Sequence, residues 1–170
     1  MLGDKMILRP DCVIALAFGY RRTHGKIIPG PSNEALAEVV HEKYSGLPKI
    51  LQFEVADAFA KHDNEPILRI EQHRTGAYMD TREVLVQASE LCKKSGWETA
   101  ALVAHPSHLP RVRACAEKLG LRVSTDQIDE MQGLDIPYDP QSDQSWTRSR
   151  WRMQLHEVLA NGLYKALGHI

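Results

Sequence analysis

Cys12-Val-Ile-Ala-Leu-Ala-Phe18, closed by Gly19, is the stretch that decides the fold. A short, nearly unbroken apolar run suits a strand covered on both faces, because a strand with one wet face alternates apolar with polar residues. It predicts the central strand of a sheet buried between layers. On its amino-terminal side, MLGDKMILRP holds no apolar run of signal-peptide type, and no uncharged apolar stretch of membrane-spanning length occurs anywhere in the chain. The expectation is a cytoplasmic protein without a membrane partner.

On the carboxyl side a basic loop, Tyr20-Arg21-Arg22, leads to the turn residues Pro29-Gly30-Pro31. Ser32 or Asn33 can then cap a helix with Leu36, Val39 and Val40 on one face, stopping near Gly46. Pro48 introduces a second strand, Lys49-Ile-Leu-Gln-Phe53, followed by a helical stretch from Val55 to Lys61 and a third strand, Ile67-Leu-Arg-Ile70. Asp80 and Glu83 have capping-box spacing ahead of a helix that carries Val84, Leu85, Ala88, Leu91 and Cys92 on one side and ends at Lys93-Lys94-Ser95-Gly96. A fourth strand spans Thr99 to Ala104. Ser107 or His108 opens the next helix, with Pro110 in its first turn, and Gly120 closes it. Leu121 to Ser124 is a fifth strand. A polar excursion from Thr125 to Arg150 leads to a last helix with Trp151, Leu155, Val158, Leu159, Leu163 and Ala166 at helical spacing, expected to face the core. Trp146 and Trp151 are expected to cover one end of the sheet, with a dimer contact as the alternative.

Alternating strand and helix means right-handed crossovers and a mainly parallel sheet of about five strands between helices, in one domain over residues 1–170. The chain has 170 residues, of which 43% are hydrophobic, enough for a core without disulfide or metal staples. Lys and Arg number 21 against 22 Asp and Glu, so the net charge of −1 gives no electrostatic reason to expect nucleic acid. Cys12, Cys92 and Cys115 lack C-x-x-C spacing and read as small buried hydrophobes.

In a parallel sheet of this kind a ligand binds beyond the carboxyl ends of the strands, where helix N-termini offer N–H groups. The polar residues that follow each strand are therefore the candidates: Gly19, Tyr20, Arg21 and Arg22; Glu54; Glu71, His73 and Arg74, leading to Asp80, Thr81 and Glu83; and His105, Ser107, His108 and Arg111. His108 at a helix start would be kept neutral by the positive dipole end, and Arg111 on the same face could join it in gripping a phosphate or carboxylate. Equally, His108 could cap the helix while Arg111 pairs with a surface acid. Thr81 is a candidate hydroxyl donor and Glu83 a candidate cleft carboxylate, although a capping box accounts for both Asp80 and Glu83.

Other motifs fail. Gly25-Lys-Ile-Ile-Pro-Gly30-Pro31 has Walker-loop glycine spacing but Pro31 where the phosphate-binding Lys should be, and no G-x-G-x-x-G follows the first strand. His105 and His108, with a proline between them, fix no metal geometry, and no metal is expected. Ser107 lacks the glycines of a nucleophile elbow, and Cys115 sits mid-helix.

Thr81-Arg82-Glu83, the segment from Val103 through His108 to Arg111, and Glu157 in the last helix resemble recurring features of the YdcF/SanA/ElyC-like family of bacterial domains: a T-x-E-N helix start, a strand ending in V-T-x-x-x-H-x-x-R-A, and a final-helix glutamate. The similarity runs from about Asp11 to Gly168. Val84, Ala104 and Val112 depart from it, the glycine turn after the first strand is reduced to Gly19, and the S-G-G after the second is replaced by Gln52-Phe53-Glu54. The resemblance implies a Rossmann-like three-layer sandwich of the soluble YdcF-like kind, a group associated with binding S-adenosylmethionine. The expectation drawn from both lines is an enzyme for a nucleotide-like or phosphorylated small molecule. Glu83 and His108 would be its proton carriers, with Gly19, Tyr20, Arg21, Thr81, His105, Arg111 and Glu157 around the ligand. A non-catalytic module for S-adenosylmethionine or a nucleotide is the alternative, and an interaction scaffold built on the polar excursion is a third.

Overall fold

The computed structural model describes residues 9–62, 65–71 and 79–170; His73 and Arg74 lie outside the described residues. The chain begins with β1 (Cys12–Ala15), every residue of which is buried. A short antiparallel hairpin follows, β2 (Arg21–Thr23) and β3 (Lys26–Ile28), where a plain loop was expected. Its two-residue turn, His24-Gly25, takes positive φ at both positions, 50° and 76°, as a tight hairpin requires. Next come α1 (Pro31–Lys43), β4 (Lys49–Gln52), α2 (Phe53–Phe59) and β5 (Ile67–Ile70). They are followed by α3 (Thr81–Ser95), β6 (Thr99–Val103), α4 (Leu109–Lys118), β7 (Arg122–Val123) and α5 (Thr125–Gln132). A 3-10 turn (Ser145–Arg148) precedes α6 (Arg150–Ala166).

The sheet order is β5-β4-β1-β6-β7 and every neighbouring pair is parallel. Helices α1 and α2 pack together on one face and α3 and α4 on the other, which makes a three-layer, Rossmann-like α/β sandwich. Burial follows position in the sheet. β1 and β6 are buried throughout, whereas the edge strand β5 exposes Leu68 and Arg69, and Arg69 bonds Asp57 and Glu71 across the rim. Because the chain leaves β1 toward β4 on one side and returns to β6 on the other, a crevice opens beyond the carboxyl end of β1.

Local chemistry sets several boundaries. Asp80 caps α3 by accepting from the Glu83 N–H at 2.8 Å, and Gly96 ends that helix in the left-handed region at φ 72°. Helix α1 starts at Pro31, with Gly30 as its N-cap, so neither Ser32 nor Asn33 caps it. Both are buried and tied to neighbouring backbone instead: Ser32 Oγ donates to the Pro137 carbonyl at 2.6 Å, and the Asn33 amide accepts from Phe18 N and donates to the Gly19 carbonyl. The excursion from Thr125 to Arg150 contains α5, which buries Ile128 and Met131, and the 3-10 turn.

One expectation is inverted. Helix α6 buries Met153, Glu157 and Tyr164 and turns Trp151, Leu155, Val158, Leu159 and Leu163 toward water. The three cysteines are buried, with Cys12 Sγ 3.7 Å from Cys92 Sγ. Among the described residues no helix is long and apolar enough to cross a membrane.

Candidate functional site

Two helix N-termini meet beyond β1. Thr81 is the first residue of α3 and His108 is the N-cap of α4, and both are buried. His108 Nε2 is 3.3 Å from Thr81 Oγ1. Arg111, one helical turn after His108, donates from Nη1 to Thr81 Oγ1 at 2.8 Å. Its Nε and Nη2 hold the Glu157 carboxylate at 3.0 and 2.9 Å, a two-pronged pair from α4 to α6. The Tyr164 ring, also from α6, lies 5.1 Å beneath the guanidinium.

His108 Nδ1 stands between two charges, 3.0 Å from Arg111 Nη2 and 3.1 Å from Glu157 Oε1. It can accept from the first or donate to the second, and Nε2 then takes the opposite role toward Thr81. Either tautomer keeps the Thr81 hydroxyl engaged. Burial, reinforced by the Arg111 charge, holds the imidazole below its ordinary pKa, so it is neutral near pH 7. For Glu157, burial acts to raise the pKa, but hydrogen bonds from His108 and Arg111 outweigh it and bring the carboxyl down to about 2.

Thr81 and His108 form one wall of a small polar pocket that also includes Leu16, Gly19, Gln52 and Glu54. Its water-accessible space is about 30 Å³, room for a water or two or for one polar end of a ligand. Glu54, in the first turn of α2, is the residue that sequence reasoning passed over as merely following the second strand. Its side chain is buried, burial lifts its pKa to about 8, and Oε2 has no hydrogen-bond partner. A buried carboxyl with one unpartnered oxygen that stays protonated at neutral pH presents both an O–H donor and a carbonyl acceptor. No sequence pattern announces this, because it depends on how α2 docks under β4.

Gly19 lines the same pocket in the left-handed region at φ 76°, and a Cβ there would fall 2.5 Å from Thr147 Oγ1 and 2.6 Å from Ser142 Oγ. Only glycine fits both the backbone and the space.

Thr81, His108, Arg111 and Glu157 are thus brought together, with Gly19 opposite, and the remaining candidates lie elsewhere. Glu83 is half-buried and does not line this pocket: Thr81 and Val84, three apart on α3, face it, and a residue between them on the helix is rotated away. Arg21 makes a two-pronged pair with Asp139, Nε to Oδ2 at 2.8 Å and Nη2 to Oδ1 at 2.7 Å, and so is drawn toward the loop before the 3-10 turn. Tyr20 gives its carbonyl to Asp143 N and its ring to the Arg22 guanidinium at 5.6 Å. His105 stacks on Phe18 at 3.8 Å, accepts from Ser107 N at Nδ1 and bonds the Ile136 carbonyl through Nε2. Both its nitrogens are committed, and burial pushes its pKa down to about 4, which makes it a structural histidine. Arg111 is positioned as expected but saturated by Glu157 and Thr81, so it orients the site and is not a free anion grip. Among the described residues no cluster of three or more metal-binding side chains occurs.

Comparison of the chain with protein-family models, with curated proteins and with solved structures finds no match.

Proposed function

We propose that the protein is an enzyme that moves protons on a nucleotide-like or phosphorylated small molecule whose polar end enters the pocket beyond β1. The observation that carries this reading is Glu54: a buried carboxyl with an unpartnered oxygen, lining the same pocket as the neutral His108 and the Thr81 hydroxyl. Two titratable groups held in complementary states are an acid and base pair. Glu54, protonated, is the donor, and His108 is the acceptor, relayed through or alongside Thr81. Glu157 and Arg111 are positioning residues that fix the imidazole. Glu54 therefore takes the role first expected of Glu83.

An anionic ligand group fits this arrangement because an un-ionised Glu54 donates a hydrogen bond where an ionised one would repel, and because Thr81 and His108, at the starts of α3 and α4, both line the pocket. The resemblance to YdcF-like proteins points to the same edge of the sheet. A thermal-shift screen with nucleotides, sugar phosphates and S-adenosylmethionine, followed by product analysis on each binder, tests the reading. A ligand at 100 times its Kd should stabilise by about 2.7 kcal/mol. Glu54→Gln and His108→Asn should each lower kcat by about 100-fold or more while leaving Kd within a few fold. Unchanged turnover in both variants refutes the assignment.

A second reading, a non-catalytic module for S-adenosylmethionine or a nucleotide, is favoured by the pairing of Arg111 with Glu157, which commits that guanidinium to the protein rather than to a ligand phosphate. Tight binding without conversion would support it.

A further inference from the structure

Helix α6 presents a row of large apolar side chains to water. Trp151, Leu155, Leu159, Leu163 and Leu167 follow one another at intervals of four along one ridge, with Val158 beside them, and all six are between 57% and 70% exposed. From those fractions the six side chains leave roughly 700 Å² in water, beyond the few hundred Å² that a soluble monomer usually exposes in one patch and close to the ~800 Å² that each partner gives a standard interface. The row winds around the side of α6 that faces away from the body of the protein, from Leu155, opposite the buried Met153, Glu157 and Tyr164, to Leu167, nearer to them. Among the described residues of one chain, nothing buries it.

We propose that this ridge is the contact between two copies of the chain, packed antiparallel about Leu159. The exposed area matches what one partner gives a dimer, and the spacing is compatible with it. Counted from Leu159 the ridge reads −8, −4, 0, +4 and +8, so a two-fold axis through that residue pairs Leu155 with the partner's Leu163, Trp151 with the partner's Leu167, and Leu159 with its own copy. A self-complementary patch is what an isologous dimer demands. Rows at intervals of four interdigitating with each other form the commonest helix-packing class, with axes crossing at about −50°. Gly162, open on its Cβ side, leaves room for close approach near the centre. A groove of about 290 Å³ between the 3-10 turn and α6, lined by Trp146, Trp151, Leu155 and Leu159, can receive the partner's C-terminal leucines.

The proposal stands independently of the ligand pocket, and sedimentation velocity on the full chain tests it. The wild-type protein at tens of micromolar should run at twice the chain mass. Leu159→Glu should run at the single mass with an unchanged circular dichroism spectrum, since the residue is exposed in one copy. Leu159→Cys should cross-link to itself, the native cysteines being buried, and a mixture of Leu155→Cys with Leu163→Cys should cross-link far better than Leu155→Cys alone. A wild-type chain that stays single at every concentration, including one that instead binds lipid vesicles, overturns the proposal. So does a Leu159→Glu protein that remains double. Should Leu159→Glu fail to fold, the cysteine pattern decides alone: efficient linkage of Leu155→Cys to itself would mean parallel helices and would refute the arrangement.

Discussion

Glu54 and Glu157 are both buried glutamates associated with His108, yet one carboxyl is lifted to about 8 and the other held at about 2. Burial raises both. The difference is what each faces: Glu157 meets a two-pronged guanidinium and an imidazole, whereas Glu54 meets the Gln52 amide and a small pocket, with the Arg69 and Asp57 charges acting on it weakly and in opposite senses. The comparison teaches that in this fold a partner, not depth, decides the charge of a carboxyl. The partnered glutamate is architecture, and the lone one is available for chemistry.

The comparison breaks most visibly if Glu157 is removed. Glu157→Ala leaves the Arg111 guanidinium buried without its counter-charge and should cost about 3–5 kcal/mol in urea unfolding. Adding Arg111→Ala should cost far less than the sum of the two single changes, and a double-mutant cycle that came out additive would mean that the pair does not act as a unit.

Glu54→Gln should behave in the opposite sense, and its effect depends on pH. A carboxyl whose folded pKa lies above its ordinary value of 4.5 penalises the folded state as pH rises from about 4.5 through 8, because the unfolded chain ionises first. The glutamine variant should therefore gain on the wild type by on the order of 2–4 kcal/mol between pH 4 and pH 9. For Glu157 the sign is reversed: its contribution is complete above 4.5 and is lost as pH falls toward 2. A flat Glu54→Gln difference across that range would show that Glu54 is solvated after all.

Smaller effects sharpen the picture. Gly19→Ala should lose about 1–3 kcal/mol, read as a drop in Tm, since it strains a positive-φ backbone and presses on Thr147 and Ser142. Glu83→Ala should change stability by no more than about 0.5 kcal/mol and leave turnover intact, because its backbone N–H, not its carboxylate, is what Asp80 uses.

Features governed by near neighbours in sequence were legible from the chain alone. The buried run at Cys12, the Asp80 cap, Gly96 at the end of α3 and Pro110 in the first turn of α4 are local, and the meeting of Thr81, His108 and Arg111 follows from placing them at one sheet edge, whereas Glu157 was expected beside them only through the resemblance to YdcF-like proteins. What escaped depends on packing. Periodicity shows that α6 has an apolar stripe but is silent on which face docks, and here the docked face is the one carrying Glu157 and Tyr164. Helix α5 has only Ile128 and Met131 to bury, too sparse a pattern to read. The isolation of Glu54 is a property of the space around it, and Arg21 was claimed by Asp139, 118 positions away.

The slender attachment of α6 has a consequence for how the protein fails. Met153, Glu157 and Tyr164 fasten the helix, and two of the three also brace Arg111. Detachment of this one segment would unmake the imidazole's setting while the sheet stayed intact, so loss of the proposed activity on gentle warming should precede loss of the β-sheet signal, and the last helix should be the first region to exchange its amide protons.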